Sequence, residues 1–241
     1  MINIFRKLRQ RLLSENKFTR YLLYSIGEIV LVVIGILIAL QINNWNQGRL
    51  NANKEEVYLE NLERDLENQL ISIDLQLEYE QKYITLGTVI LDNYYASDVI
   101  AFDSTLSASL SVLTERKTFV RTDPTFEDML STGNIGLLRN NGIRNALIEY
   151  YQELERVEKV LQNNNTLHTD QGYGNEITDL VFAGPTATDR LVNISIELLK
   201  EPEREMKFVN LVVKRTHIAV NHVRFMTDLR AKTSEILERL R

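Results

Sequence analysis

Tyr21 to Ile42 reads YLLYSIGEIVLVVIGILIALQI, 22 residues that hold one charge, Glu28. Coiled as an α-helix it would be roughly 33 Å long, a match for a hydrocarbon core of about 30 Å. A helix buried in a soluble domain is the competing reading. Ile29 to Leu40 offers no polar side chain on any face, which a surface helix of a chain this size rarely does. A cleaved signal peptide is the second competitor, but Gln-Ile-Asn-Asn-Trp follows the apolar run where a small-x-small cleavage site would be required. The stretch therefore predicts a retained transmembrane helix.

Its flanks set the orientation. Arg6, Lys7, Arg9, Arg11, Lys17 and Arg20 face only Glu15 in residues 1–20, a net charge of +5. Beyond the segment only Arg49 and Lys54 follow closely, and residues 43–241 sum to −9 of the chain's net −5. Positive flanks stay in the cytoplasm, so the bulk of the chain is expected outside it. Arg20 and Tyr21 on one side and Trp45 on the other are expected at the membrane interfaces, where cationic and amphipathic side chains suit the headgroup layer. The predicted organisation is a basic cytoplasmic tail over 1–20, the transmembrane helix over 21–42, and a periplasmic helical-bundle domain over 43–241.

Within the segment, Tyr21, Ser25, Glu28, Val32, Gly35, Ala39 and Ile42 fall on one stripe at alternating steps of four and three. Small residues let helices approach closely, and a polar group in lipid seeks a partner. Ser25, Glu28, Val32, Gly35 and Ala39 are therefore expected to form a helix–helix seam with another copy or another membrane protein. The bland alternative has Glu28 reaching back to the cytoplasmic headgroups, as long side chains near helix ends do.

Past the segment the pattern stays helical. Leu59, Leu62, Leu66, Leu70, Ile73 and Leu77 average 3.6 residues per step, the period of a straight helix rather than the 3.5 of a two-stranded coiled coil. Only Gly48 stands between this helix and the membrane segment, so the two are expected to run nearly into one another. Ala96 to Asp103 reads as a connection and Ser104 to Glu115 as a short helix. Asp123-Pro124 reads as an N-cap followed by proline at the first helical position, with Gly133 closing that helix. Asn140 or Asn141 opens a long helix through Leu161; Gly172 and Gly174 break or distort it. Thr186 is expected to cap a helix to Leu199, and Pro202 to open the last one, buried along Phe208, Leu211, Ile218, His222, Phe225, Leu229, Ile236 and Leu240. The predicted class is all-α: one N-terminal transmembrane helix and an extracytoplasmic antiparallel helical bundle.

Chemistry is sparse. The absence of cysteine excludes disulfides, thiolate metal sites and cysteine nucleophiles. His217 and His222 are five apart, about 140° around a helix, so they do not converge on a metal; His222 reads as a hydrogen-bonded core residue. No phosphate-binding, dinucleotide or nucleophile-elbow motif occurs, and the negative charge gives no nucleic-acid footprint. Of the adjacent pairs Tyr94-Tyr95 and Tyr150-Tyr151, one ring each is expected in the core. Asn163-Asn164-Asn165 is expected at a bundle tip or a mid-helix kink. No cofactor, no metal and no enzymatic activity are expected.

The stretch YLLYSIGEIVLVVIGILIALQINNWN resembles the signature of a family of membrane-anchored bacterial proteins, domain of unknown function 6090. The run from Thr125 to Ile135, TFEDMLSTGNI, and Arg144 to Tyr151, RNALIEYY, resemble that family's second motif. The resemblance implies a Bacteroidota-type inner-membrane protein with a periplasmic helical domain, and it carries over no functional residues. The expected role is a structural or interaction module, bound to the lipid bilayer, that self-associates or docks on an envelope complex. The alternatives are an extracytoplasmic ligand sensor and an ion-coupled single-helix subunit using Glu28 beside a multi-pass partner.

Overall fold

Helix α1, Phe18–Ser97, carries the apolar stretch and passes Gly48 without interruption. The computed structural model describes Lys7, residues 18–97 and residues 102–241; the side chains of 18–21, Tyr95 and Ser97 lie outside the described residues. After α1 come α2, Ser104–Val112; α3, Pro124–Ser131; a 3₁₀ turn, Asn134–Leu137; and α4, Asn141–Asn164. A π-helical segment, Asn165–Gly174, leads from α4 directly into α5, Asn175–Leu180. Helices α6, Asp189–Leu199, and α7, Pro202–Leu240, complete the chain. No strand occurs among the described residues, and the all-α class stands.

The chain divides into two units, Met1–Val57 and Tyr58–Arg241. In the first, every described side chain from Leu22 to Leu50 is exposed except the half-buried Ser25. The second has its own interior. Three helical stretches line it: α1 from Tyr58 onward, the α4–π–α5 run, and α7.

Side-chain pairs fix their register. Along α1 and α7, Glu63 and Glu67 meet Arg241, Asp74 meets Arg230 at 2.7 Å, and Glu80 meets His222 at 2.9 Å. Further along, Gly87 lies so close to α7 that a Cβ there would run into the Thr216 hydroxyl. Along α4–π–α5 and α7, Tyr150 meets Thr233 at 2.9 Å, Asn164 meets His222 at 3.2 Å and Glu176 meets Lys207 at 3.1 Å. One index rises as the other falls in both sets, so α7 is antiparallel to both partners.

Apart from Asp65, the buried positions of α1 are Leu62, Leu66, Gln69, Ile73, Gln76, Glu80, Tyr83, Gly87 and Ile90, alternating steps of four and three. In α7 the same row runs through Phe208, Val212, Arg215, Ala219, His222, Met226, Leu229, Thr233 and Ile236, with Leu211, Ile218 and Leu237 buried beside it. This is the 3.5-residue repeat of a coiled coil, and it corrects the 3.6 period read from the leucines of α1. Leucine counting followed the flanking Leu59, Leu70 and Leu77, which are only partly buried, and passed over the Gln and Glu at central positions.

Residues 113–140 return along α1 as a strap. Arg215 donates to the carbonyls of Leu113 at 3.0 Å and Glu115 at 3.3 Å. Gln69 Oε1 accepts the Thr122 amide at 2.6 Å, and Asp65 Oδ2 accepts the Thr125 amide at 3.1 Å. Helix α3 begins at Pro124 and is followed by Gly133 at φ 72°, as its sequence demands. Asp123 holds the N-cap position but makes no capping bond; it pairs with Arg121 at 2.8 Å. The cap is supplied across the interface by Asp65. Asp65→Ala should therefore lower the melting temperature by about 2–8 °C, from a cap worth about 1–2 kcal/mol in a unit of this size. Asp123→Ala should cost less, and a melt in which Asp123 matters more than Asp65 would contradict the assignment.

Other boundaries moved. Helix α2 stops at Val112, short of Glu115, and the cap of α6 is Thr188 where Thr186 was expected. Asn140 does cap α4, accepting the amides of Gly142 at 2.9 Å and Ile143 at 3.1 Å. Tyr150 and Tyr151 are both buried, against the expectation of one. Helix α4 is covered on two sides: α7 meets Tyr150, and Phe126 of the strap stacks on Tyr151 at 4.2 Å.

Candidate functional site

The anticipated seam lies in the first unit. Glu28, Val32, Gly35 and Ala39 are exposed and Ser25 is half-buried. A Cβ built on Gly35 meets nothing within 4 Å, so that surface of the backbone is open to a close neighbour. Leu23, Tyr24, Gly27, Glu28 and Leu31 line a shallow groove over the bare backbone of Gly27. Opposite faces are equally open, with Leu37 at 58 % and Ile34 at 50 % exposure. One chain alone does not single out a face. Trp45 is 66 % exposed and carries the Arg49 guanidinium 5.7 Å from its ring centre, an aromatic–cation pair suited to an interface. Arg20 and Tyr21, expected at the opposite interface, have side chains outside the described residues.

The second unit holds a feature that sequence reading missed. Its apolar interior is two clusters. One contains Leu62, Leu66, Ile73, Leu147, Leu154, Leu161, Met226 and Leu229; the other contains Tyr83, Ile90, Leu110, Tyr173, Ile177, Val212 and Ala219. Between them every long helix puts polar residues at its central positions: Gln76 and Glu80 from α1, Asn165 and Thr169 from the π segment, His222 from α7.

Gln76, Glu80 and His222, with Asn164, form one chain of hydrogen bonds. Glu80 Oε1 accepts from Gln76 Nε2 at 2.8 Å and stands 2.9 Å from His222 Nδ1. Asn164 Nδ2 meets His222 Nε2 at 3.2 Å, which makes Nε2 an acceptor and leaves Nδ1 to donate to Glu80. Arg215, one turn-pair along α7, is 1 % exposed and lies 4.3 Å from the Tyr83 ring centre. Burial pulls its guanidinium below the usual arginine range, opposed by the charge of Glu80. Burial also pushes the Tyr83 phenol up to about 12, with Arg215 pulling the other way. Gln76 Oε1, Glu80 Oε2, Tyr83 OH, Thr169 Oγ1 and Arg215 Nη1 have no hydrogen-bond partner among the described residues. An unmade bond of this kind costs about 1–3 kcal/mol. His222 is thus the hydrogen-bonded core residue its place on the apolar stripe suggested, whereas His217 is exposed.

The π segment belongs to the same layer. Leu161, Asn165, Thr169, Tyr173 and Ile177 are all buried at a constant spacing of four. An α-helix at 3.6 residues per turn would wind that row off the interior, and a π-helix at about 4.4 brings it back. Asn164 and Asn165 therefore sit mid-helix, where α gives way to π geometry, and not at a tip. A Cβ on Gly172 would lie 3.3 Å from the Leu167 carbonyl and one on Gly174 3.1 Å from the Thr169 carbonyl, each five residues back. The two glycines leave room for the wide turn. The run of spacing-four residues was the available signal, obscured because two of its members are Asn and Thr.

Among the described residues no three His, Asp or Glu side chains gather so as to hold a metal ion. The layer can exchange hydrogen bonds and hold charge.

The second quoted motif lies at the base of this unit, the end holding Tyr58 and Arg241. Tyr58 OH donates to Asp128 Oδ2 at 2.8 Å and accepts from Asn134 Nδ2 at 2.9 Å. Phe126 and Met129 enter the base cluster, where Phe126 stacks on Tyr151. Motif residues thus fasten the strap to α1 and α4. No curated protein and no solved structure matches the chain. Residues 28–178, more than half of the sequence and including the TFEDMLSTGNI and RNALIEYY runs, match the model of a family of unknown function (DUF6090), and the chain belongs to that family.

Proposed function

We propose that this protein is a single-pass component of a bacterial inner membrane, basic end in the cytoplasm and helical unit in the periplasm, that acts as an interaction module. The observation that carries the reading is the contrast between the two units. Leu22 to Leu40 keeps its large apolar side chains between 46 and 76 % exposed, while the second unit closes over its own core. Apolar surface on that scale is stable only against lipid or another apolar helix. The Gly35-x-x-x-Ala39 stripe with Glu28 offers the closest approach to a second helix, and the first reading of its partner is another copy.

Two measurements test this on the full chain. A periplasm-active reporter fused after Arg241 should be active, and a cytoplasm-active one silent; the reverse pattern would end the topological part. Self-association in membranes should fall about 5–30-fold for Gly35→Leu and Ala39→Leu, the effect of losing about 1–2 kcal/mol of helix contact. Ile34→Leu and Leu37→Ile, off the stripe, should leave it within about twofold. Equal loss from both pairs would remove the seam.

A further inference from the structure

We propose that the second unit is two cooperative halves that open independently, parted at the buried polar layer. Each long helix crosses from one apolar cluster to the other through that layer: α1 between Ile73 and Tyr83, α4–π between Leu161 and Tyr173, α7 between Met226 and Ala219. The clusters share no residue. Cooperativity along a bundle is carried by contiguous side-chain packing, and packing is interrupted here on all three helices at one level.

Three further features weaken the same level. Five buried polar atoms in or beside the layer lack a hydrogen-bond partner among the described residues, so opening lets water satisfy them. The backbone there is π-helical, a geometry that appears inside helices mainly as short, functional interruptions. Past Arg215, which holds the Leu113 and Glu115 carbonyls on the far side of the layer, the strap crosses on exposed ion pairs, Arg116–Asp170 at 3.1 Å and Lys82–Glu115 at 3.9 Å, and exposed pairs of this type contribute little. The base half adds the strap fastenings at Tyr58, Asp65 and Gln69. The far half, with α2, α5, α6 and the first part of α7, holds the strap through Arg215 at the Leu113 and Glu115 carbonyls and is the half that opens.

Hydrogen exchange of the full chain in detergent or nanodiscs, followed by mass spectrometry, reads the two halves separately. Peptides over 104–113, 173–181, 192–199 and 208–219 should exchange as one group, at least about tenfold faster than those over 62–73, 147–161 and 226–237. Exchange of both sets at one rate, within about threefold, would overturn the proposal. Gly174→Ala crowds the Thr169 carbonyl. It should accelerate the first set severalfold and leave the second unchanged; equal acceleration of both sets would show a single cooperative unit and overturn it.

Discussion

Glu80→Leu is expected to lower the melting temperature of the helical unit by about 6–20 °C. Glu80 is 2 % exposed and holds Gln76 and His222 through one oxygen, with the Arg215 charge nearby. Removing it leaves the His222 Nδ1 donor and the Gln76 amide without an acceptor and Arg215 without a buried countercharge. Breaking a buried pair from one side costs about 3–5 kcal/mol, and a unit of this size loses about 2–4 °C per kcal/mol. Glu80→Gln keeps an acceptor oxygen at the same reach and should lose much less. Replacing Glu80, His222 and Arg215 together by leucine, leucine and methionine removes the charges as a set and should recover part of the loss; the remainder comes from the Gln76 and Asn164 amides and the Leu113 and Glu115 carbonyls, which lose their partners. Circular dichroism melts in mild detergent measure all three. A Glu80→Leu melt within about 2 °C of the parent would show that the layer carries no such energy.

The second large effect is alkaline unfolding. Desolvation raises the phenols of Tyr150, Tyr151 and Tyr173 well above the ordinary tyrosine value, and that of Tyr83 to about 12. Tyr150 is held down slightly by its bond to Thr233, and Tyr151 is raised further by Tyr150 and Asp65. In the unfolded chain each titrates near 10, so above that pH the unfolded state releases protons that the folded state keeps. The sign follows: this stabilisation is complete below pH 10 and is lost as pH rises from 10 towards the folded values. Four such groups remove up to about 5 kcal/mol per pH unit, enough to unfold a domain of ordinary stability within about two units. The share of the 295 nm absorbance change that belongs to these four of the ten tyrosines should come together with the loss of helicity, in one steep transition at about pH 11–12. A smooth tyrosine titration centred on 10 with helicity intact would show that these rings are open to solvent.

Much of the architecture was written in the chain. An apolar run of bilayer length, its charged flanks, the caps at Asn140 and Gly133, and prolines at the first turns of α3 and α7 are local statements, each decided by residues within a few positions of one another. Local physics of that kind survives folding, which is why the helices fell where expected with small shifts at Val112 and Thr188. The candidate seam is equally local, since a helix alone puts Ser25, Glu28, Val32, Gly35 and Ala39 on one stripe.

The polar layer is of the other kind. Gln76, Glu80, Asn165, Thr169 and His222 come from three distant segments, and nothing near any of them in sequence marks it as interior. Taken singly, Gln and Glu on a helix belong in water. Only when three helices align in register do they meet at one level, where Gln76, Glu80 and His222 supply hydrogen bonds that make one another's burial tolerable. The same holds for Asp65, whose role as the cap of α3 exists only because the strap lies against α1. Short-range pattern chose the helices; the long-range register chose which of their polar residues would be enclosed.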